Sequence, residues 1–351
     1  MARTAKHEKS INVALQGGGS HGAFTWGVLD KLLEDGRIWI EAISGTSAGA
    51  MNAVVVAQGM YEGQAEGGRR ALRKFWQEIS EAGRASPLRR SVFDRWTGSW
   101  SLDTSPAYLF FDVMSRIASP YDINPLGVNP LRSLVESLVD FNKVRDCKDM
   151  SIYISATNVE TGKVRVFHRD EITVDVVMAS ACLPQMFQAV VIDGEPYWDG
   201  GFMGNPVLFP FYSRSDASDI VIIQINPVVR PGIPKTAREI FDRVNEITFN
   251  SSLLRELRAI DFVTKLLEEN KISTDDYRCM NVHIIEARRE MRPLGVSSKL
   301  NTEWEFIDHL FEIGRNAAGR WLDENFDHLG NRSTVDLREM FQGIGPPEHT
   351  I

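Results

Sequence analysis

The first hydrophobic pattern in the chain is a short apolar run at 11–15, bounded on its far side by Gly17, Gly18 and Gly19. A buried strand running into a tight turn has this form. Directly after it, Phe24, Val28, Leu29, Leu32 and Leu33 recur at helical spacing. Gly36 stands where a helix end takes up a left-handed residue, so a helix is predicted over 21–35. A second strand is predicted at 38–43, followed by an alanine-rich helix at 46–57 that Gly59 stops. Two such strand, turn and helix units in succession point to the α/β class, a mostly parallel sheet with helices on both faces. Apolar or β-branched runs at 151–158, 189–192, 220–225 and 282–286 supply further strands. Charged amphipathic patterns at 236–270 and 301–326 predict two long helices of scaffold character, and no internal repeat is present.

The stretch 86–130 breaks this rhythm. It holds Trp96, Trp100, Tyr108, Phe110, Phe111 and Tyr121, interrupted by Pro87, Pro106, Pro120, Pro125 and Pro130. A long aromatic, proline-broken connection serves either as a lid over a site or as a helical insertion packed beside the core, and periodicity leaves both open.

Composition narrows the class. The chain has 351 residues, 43% of them hydrophobic, enough to bury a large core without disulfides or metals. Its three cysteines, Cys147, Cys182 and Cys279, form no C-x-x-C pair, so neither a disulfide framework nor a zinc site is expected and a cytoplasmic location fits best. Residues 1–10 are polar and charged rather than signal-like, and no apolar run approaches the roughly 18 to 20 residues needed to cross a bilayer. A formal net charge of −8 argues against nucleic acid as a partner. Arg89 and Arg90 mark one short basic run, which reads as a solvated loop.

Candidate chemistry begins at Gly45-Thr46-Ser47-Ala48-Gly49, a G-x-S-x-G pentapeptide placed between a predicted strand and a predicted helix. That context defines a nucleophile elbow: the glycines permit a sharp turn, and the serine is exposed at the strand end with a helix N-terminus behind it. Ser47 then needs a base and donors for the oxyanion it creates. Backbone N–H groups of Gly17, Gly18, Gly19 and Ser20, in a glycine turn that opens a helix, can converge on such an anion.

Gly17 to Gly22 also satisfies G-x-G-x-x-G, the dinucleotide fingerprint, but its ribose carboxylate is missing from the end of the second strand, where only Glu41 inside the strand is acidic. An α/β-hydrolase triad fits poorly as well. That fold builds several strands before its elbow, and His168, His283, His309, His328 and His349 show no catalytic setting. Asp193 and Asp199 both precede glycine. Asp193-Gly194 is the tip expected of a hairpin, whereas Asp199 falls at the end of its second strand, where active-site groups of α/β sheets gather. Cys182, between Ala181 and Leu183, reads as an inert buried thiol.

Three motifs in this order, Gly17-Gly18-Gly19-Ser20-His21-Gly22, Gly45 to Gly49, and Asp199-Gly200-Gly201, resemble the patatin-like phospholipases. Ala179-Ser180-Ala181-Cys182-Leu183-Pro184 resembles the segment that commonly precedes the aspartate. The resemblance covers about 11–227 and implies a three-layer α/β/α fold with its catalytic domain there; the pattern of the chain places the 86–130 stretch inside it as lid or helical insertion, and 228–351, which is not distinctive, as a helical extension with one further strand packed on the same domain. The resemblance implies a Ser47–Asp199 dyad without histidine that cleaves lipid carboxylic esters through an acyl-enzyme. Gly17, Gly18, Gly19 and Ser20 would line the oxyanion hole, and Gly22, Gly45, Gly49, Gly200 and Gly201 complete the motifs. No cofactor or metal is implied. The partner would be a lipid ester, met at the surface of a membrane or lipid droplet. An acyltransferase, a storage-polyester or neutral-ester hydrolase, and a non-catalytic binder remain as alternatives. One departure is His21, where the family usually has Arg or Lys, so a fixed cation beside the oxyanion site is in question and activity should depend on pH if His21 titrates there.

Overall fold

The computed structural model describes residues 7–273 and 277–342, so part of the polar N-terminal stretch, the end of the 228–351 extension and His349 lie outside the described residues. β1 (Lys9–Leu15) leads through a short 3-10 turn at Gly19–His21 into α1 (Gly22–Asp35). β2 (Ile38–Gly45) and α2 (Ala48–Gly83) follow. Five shorter helices come next: α3 (Val92–Trp96), α4 (Pro106–Ile117), α5 (Pro120–Ile123), α6 (Pro130–Leu138) and α7 (Phe141–Asp146). Then come β3 (Ser151–Asn158), β4 (Val164–His168), α8 (Val174–Ser180), β5 (Val190–Ile192), β6 (Glu195–Asp199), α9 (Pro210–Arg214) and β7 (Asp219–Ile223). The chain closes with α10 (Ala237–Glu268), β8 (Asn281–Ile285), α11 (Arg288–Met291), α12 (Trp304–Asn325) and α13 (Leu337–Phe341).

Eight strands form one sheet in the order β5-β6-β3-β2-β1-β7-β8, with β4 on the other edge of β3. The β3, β2, β1, β7 and β8 ladders are parallel, and β4, β5 and β6 are added antiparallel. Strand alternation sorts the side chains into two cores. Ile11, Val13, Leu15, Val221 and Ile223 join α1, α2 and α12 on one face. Ala14, Ile220 and Ile222 meet Leu253, Leu257 and Ile260 of α10 on the other. This is the three-layer α/β/α arrangement, and the elements after residue 227 supply cover for both faces.

One predicted boundary is displaced. The helix after Ser47 passes through Gly59 and breaks at Gly63 and Gln64, the latter at φ 55°. A lone helical glycine is tolerated, and here it serves packing: a Cβ on Gly59 would stand 2.5 Å from the Gly67 carbonyl oxygen, where the second half of α2 returns against the first. The edge strand β4 has no counterpart among the predicted strands: it is five residues long, Arg165 within it is exposed, and only Phe167 is buried. Within 86–130 the structure places short helices that bury Tyr108 but leave other large apolar side chains exposed, among them Trp96 at 82% and Phe110 at 69%. Arg90 of the basic run is not free: it bonds the Glu303 carboxylate at 2.6 Å and lies over the Trp100 ring. No helix among the described residues is long and apolar enough to cross a membrane.

Candidate functional site

β3 aligns the two halves of the site. Over its first half it pairs with β2, Gly45 opposite Ile154, and over its second half with β6, Asp199 opposite Ala156. β4 occupies the other edge throughout, so β2 and β6 share one edge and end two β3 residues apart, about 7 Å. Ser47, two residues beyond the end of β2, and Asp199, the last residue of β6, are therefore brought together, and the nearby Ser47 hydroxyl favours the ionised form of the Asp199 carboxyl.

Ser47 caps α2 with φ 55° and ψ −120°, a conformation that a non-glycine residue adopts only when its surroundings impose it. Close backbone packing does so here. A Cβ on Gly45 would stand 2.6 Å from the Gly49 carbonyl oxygen, and one on Gly49 would clash with the Leu15 carbonyl. The Ser47 N–H donates to Ser180 Oγ at 2.9 Å, and Thr46 Oγ1 donates to the Gly204 carbonyl at 2.6 Å. The elbow is thus tied to the loop after β6 and to the end of α8.

Asp199 arrives on a hairpin. β5 and β6 pair antiparallel around Asp193 and Gly194, whose φ values of 52° and 84° match a tight two-residue turn. Asp193 is the tip, and Asp199 is 1% exposed. The Gly201 N–H donates to Asp199 Oδ1 at 2.7 Å, and the Asp199 N–H donates to the Cys182 carbonyl at 2.8 Å. Burial pushes the carboxyl up from 3.8 to about 7, against the Gly201 hydrogen bond, the nearby Ser47 hydroxyl and the charge of Lys299, which favour its ionised form. Phe249 of α10 lies against Gly201, where a Cβ would clash with its ring.

The glycine turn lies beside this pair: a Cβ on Gly17 would stand 2.7 Å from Ser47 Cβ, and one on Gly22 2.8 Å from Ala48 Cβ. Of the four expected oxyanion donors, the Gly17 N–H is already bonded to Asn205 Oδ1 at 2.7 Å. Gly18, Gly19 and Ser20 open the helical segment, where leading N–H groups have no carbonyl behind them. His21 is buried, with Nε2 at 2.8 Å from Ser298 Oγ, and burial followed by the Lys299 charge holds its pKa well below the usual value. It stays neutral, so the pH dependence conditional on its titration does not arise.

The remaining candidates fall elsewhere. Cys182 is buried and its thiol is pushed up to about 12, which removes it as a nucleophile. His283 bonds Asp219 at 2.9 Å and Thr334 at 3.0 Å, and Asp219 starts β7 at the sheet end away from Ser47. His309 stacks on Trp100 and His328 bonds Arg332. Among the described residues no group of three or more His, Cys, Asp or Glu is placed to hold a metal ion. Ser180, Asn205, Asn226 and Lys299 stand around the site without being among the residues its sequence motifs predict. Ser180 carried a signal, since it lies in the segment that resembles the approach to the aspartate, while the others have no local motif.

A family model described as Patatin-like phospholipase matches residues 13–212, more than half of the chain. No curated protein matches. Among solved structures, VipD from Legionella pneumophila aligns at 15% identity and TM-score 0.43, covering 90% of this chain and 67% of VipD. ExoU, solved as a heterodimer with SpcU from the type III secretion system of Pseudomonas aeruginosa, aligns at 16% identity and TM-score 0.40, covering 92% of this chain and 53% of the other. The chain thus spans about half to two thirds of those proteins. By the extent of the family match, the chain belongs to the patatin-like phospholipases, whose chemistry is the hydrolysis of lipid esters.

Proposed function

We propose that the chain is a serine lipid-acyl hydrolase in which Ser47 is the nucleophile and Asp199 the general base, with no histidine between them. The observation that carries this reading is the placing of the strained Ser47 beside the buried Asp199 along one edge of β3, where burial raises that carboxyl to about 7. A carboxylate at its ordinary pKa of about 4 is a weak base near neutrality, and desolvation brings it into the useful range. As Ser47 Oγ bonds to the ester carbonyl carbon, its proton passes to Asp199. The tetrahedral oxyanion takes hydrogen bonds from Gly18, Gly19 and Ser20. Collapse breaks the bond to the leaving alcohol, which takes the proton from Asp199. Water then gives a proton to Asp199 as it attacks the acyl carbon, and the fatty acid leaves as Ser47 Oγ recovers that proton.

A lipid substrate is supported by what surrounds the dyad. α10 runs from Phe249, against Gly201, to exposed Val244, Phe241 and Ile240, and Arg116 of α4 lies 5.1 Å above the Phe241 ring. Gln188 Nε2 donates to the Asn124 carbonyl at 2.8 Å, and the Ala189 N–H bonds the Tyr121 hydroxyl, which ties 86–130 to the hairpin that bears Asp199. Exposed apolar groups on these two segments suit a lipid aggregate. The test is a panel of phospholipid, lysophospholipid, neutral and polyester substrates offered to the purified protein with released acid measured directly. Release from at least one lipid ester, lost in Ser47→Ala, is the expected result. An alcohol acceptor consumed in place of water would identify an acyltransferase.

A further inference from the structure

An oxyanion site gains most from positive charge fixed in place before the reaction. His21, on the glycine turn, cannot supply it, being buried, neutral and bonded to Ser298. The neighbour of Ser298 can. The 3-10 turn Val296–Leu300 packs directly on the glycine turn, with the Lys299 carbonyl so close to Gly19 that a Cβ there would clash with it. Lys299 Nζ donates to Asn226 Oδ1 at 2.8 Å, and Asn226 Nδ2 donates to the Gly17 carbonyl at 2.8 Å. Gln16 Oε1 accepts the Asn226 N–H at 2.9 Å, so Asn226 is fixed from two sides.

We propose that Lys299 is the positioning cation of this site, anchored through Asn226 to the glycine turn and setting the positive potential felt by the oxyanion and by the Asp199 carboxylate. The proposal rests on the Ser47–Asp199 reading. Burial lowers the Lys299 pKa, and Glu246, Asp242 and Asp199 oppose that shift while Arg230 adds to it. Lys299 in turn favours ionised Asp199 and neutral His21. Lys299 lies nearly ninety residues beyond the family match that ends at 212, so the C-terminal extension contributes to the electrostatics of the site rather than only to its scaffold.

Lys299→Gln keeps a donor for Asn226 and removes the charge, Lys299→Met removes both, and Lys299→Arg keeps the charge. The three are compared with wild type, Ser47→Ala and Asp199→Asn in the full chain, using a short soluble p-nitrophenyl ester across pH. Circular dichroism and melting temperature check folding. Lys299→Gln and Lys299→Met should lower kcat about tenfold with KM little changed. The acid limb of kcat/KM should move to higher pH by about half a unit or more, because loss of the cation weakens the ionised form of Asp199. Lys299→Arg should recover most of the rate. A merely structural lysine would lower the melting temperature without moving the acid limb. If Lys299→Gln, folded, keeps both the rate and the limb of the wild type while Asp199→Asn is inactive, the Lys299 assignment fails alone. Wild-type turnover in folded Asp199→Asn would overturn both readings. Should Lys299→Met not fold, Lys299→Gln and Lys299→Arg decide the matter.

Discussion

Ser47 and Asp199 each hold an unfavourable state, one in its backbone and one in its charge. Ser47→Ala is expected to abolish ester hydrolysis, and a fluorophosphonate probe should label Ser47 in the wild type; labelling at another serine would count against the assignment. Asp199 makes two pH predictions. Its carboxyl sits near 7 in the folded chain and at about 4 when unfolded, so the folded state alone holds a proton between those values. Stability from this group is therefore present at low pH and lost as pH rises through that window. Asp199→Asn escapes the loss, so its melting temperature relative to wild type should climb from pH 4 to pH 8, and a flat or falling difference would refute the buried, raised carboxyl. As a base Asp199 must be ionised, so wild-type kcat/KM should rise through an acid limb near pH 7. Both residues were legible in the sequence from the glycines that flank them. Lys299 was not, because its role depends on a turn that folds back from far along the chain, with no short-range pattern to mark it.

The elements show why some of the fold could be read and some could not. β3 is rich in β-branched and aromatic residues, β7 is an apolar β-branched run after Asp219, and the hairpin of β5 and β6 carries its own Asp193-Gly194 turn, so local chemistry defines them. β4 is short, exposes Arg165, buries only Phe167 and gains its strand state by pairing with β3. Gly59 fails as a helix stop because its contact with Gly67 is tertiary. For 86–130, the structure places the short helices outside the main core with Trp96 and Phe110 exposed. Trp96→Ala and Phe110→Ala should therefore lower hydrolysis of aggregated lipid severalfold more than hydrolysis of a short soluble ester, with melting temperature little changed. Equal loss on both substrates with a lowered melting temperature would assign these side chains to packing instead.

In the molecule as a whole, the sheet stands between two helical layers, and the chain beyond residue 227 supplies much of both. α12 packs on α1 so closely that Gly314 leaves no room for a Cβ beside the Phe24 carbonyl, and Gly27 none beside the Phe311 carbonyl. α10 covers the opposite face through Leu253, Leu257 and Ile260. The sequence marked both helices by their periodicity and left open how much of the core depends on them. A fragment ending at residue 227 should fail to give a cooperative unfolding transition, since it would leave β7 without β8 and bare Ile220 and Ile222. Gly314→Ala in the full chain should cost about 1–3 kcal/mol, read from denaturant unfolding. A carboxylate base acting without histidine is tested by the turnover of a soluble ester by folded Asp199→Asn. The rate should fall by roughly 10² to 10⁴, the usual range for loss of a general base, while His168, His283, His309 and His328 changed singly to Gln stay within about threefold of wild type. Near wild-type turnover in Asp199→Asn, or an equal loss in one of those four histidine variants when stably folded, would contradict the dyad.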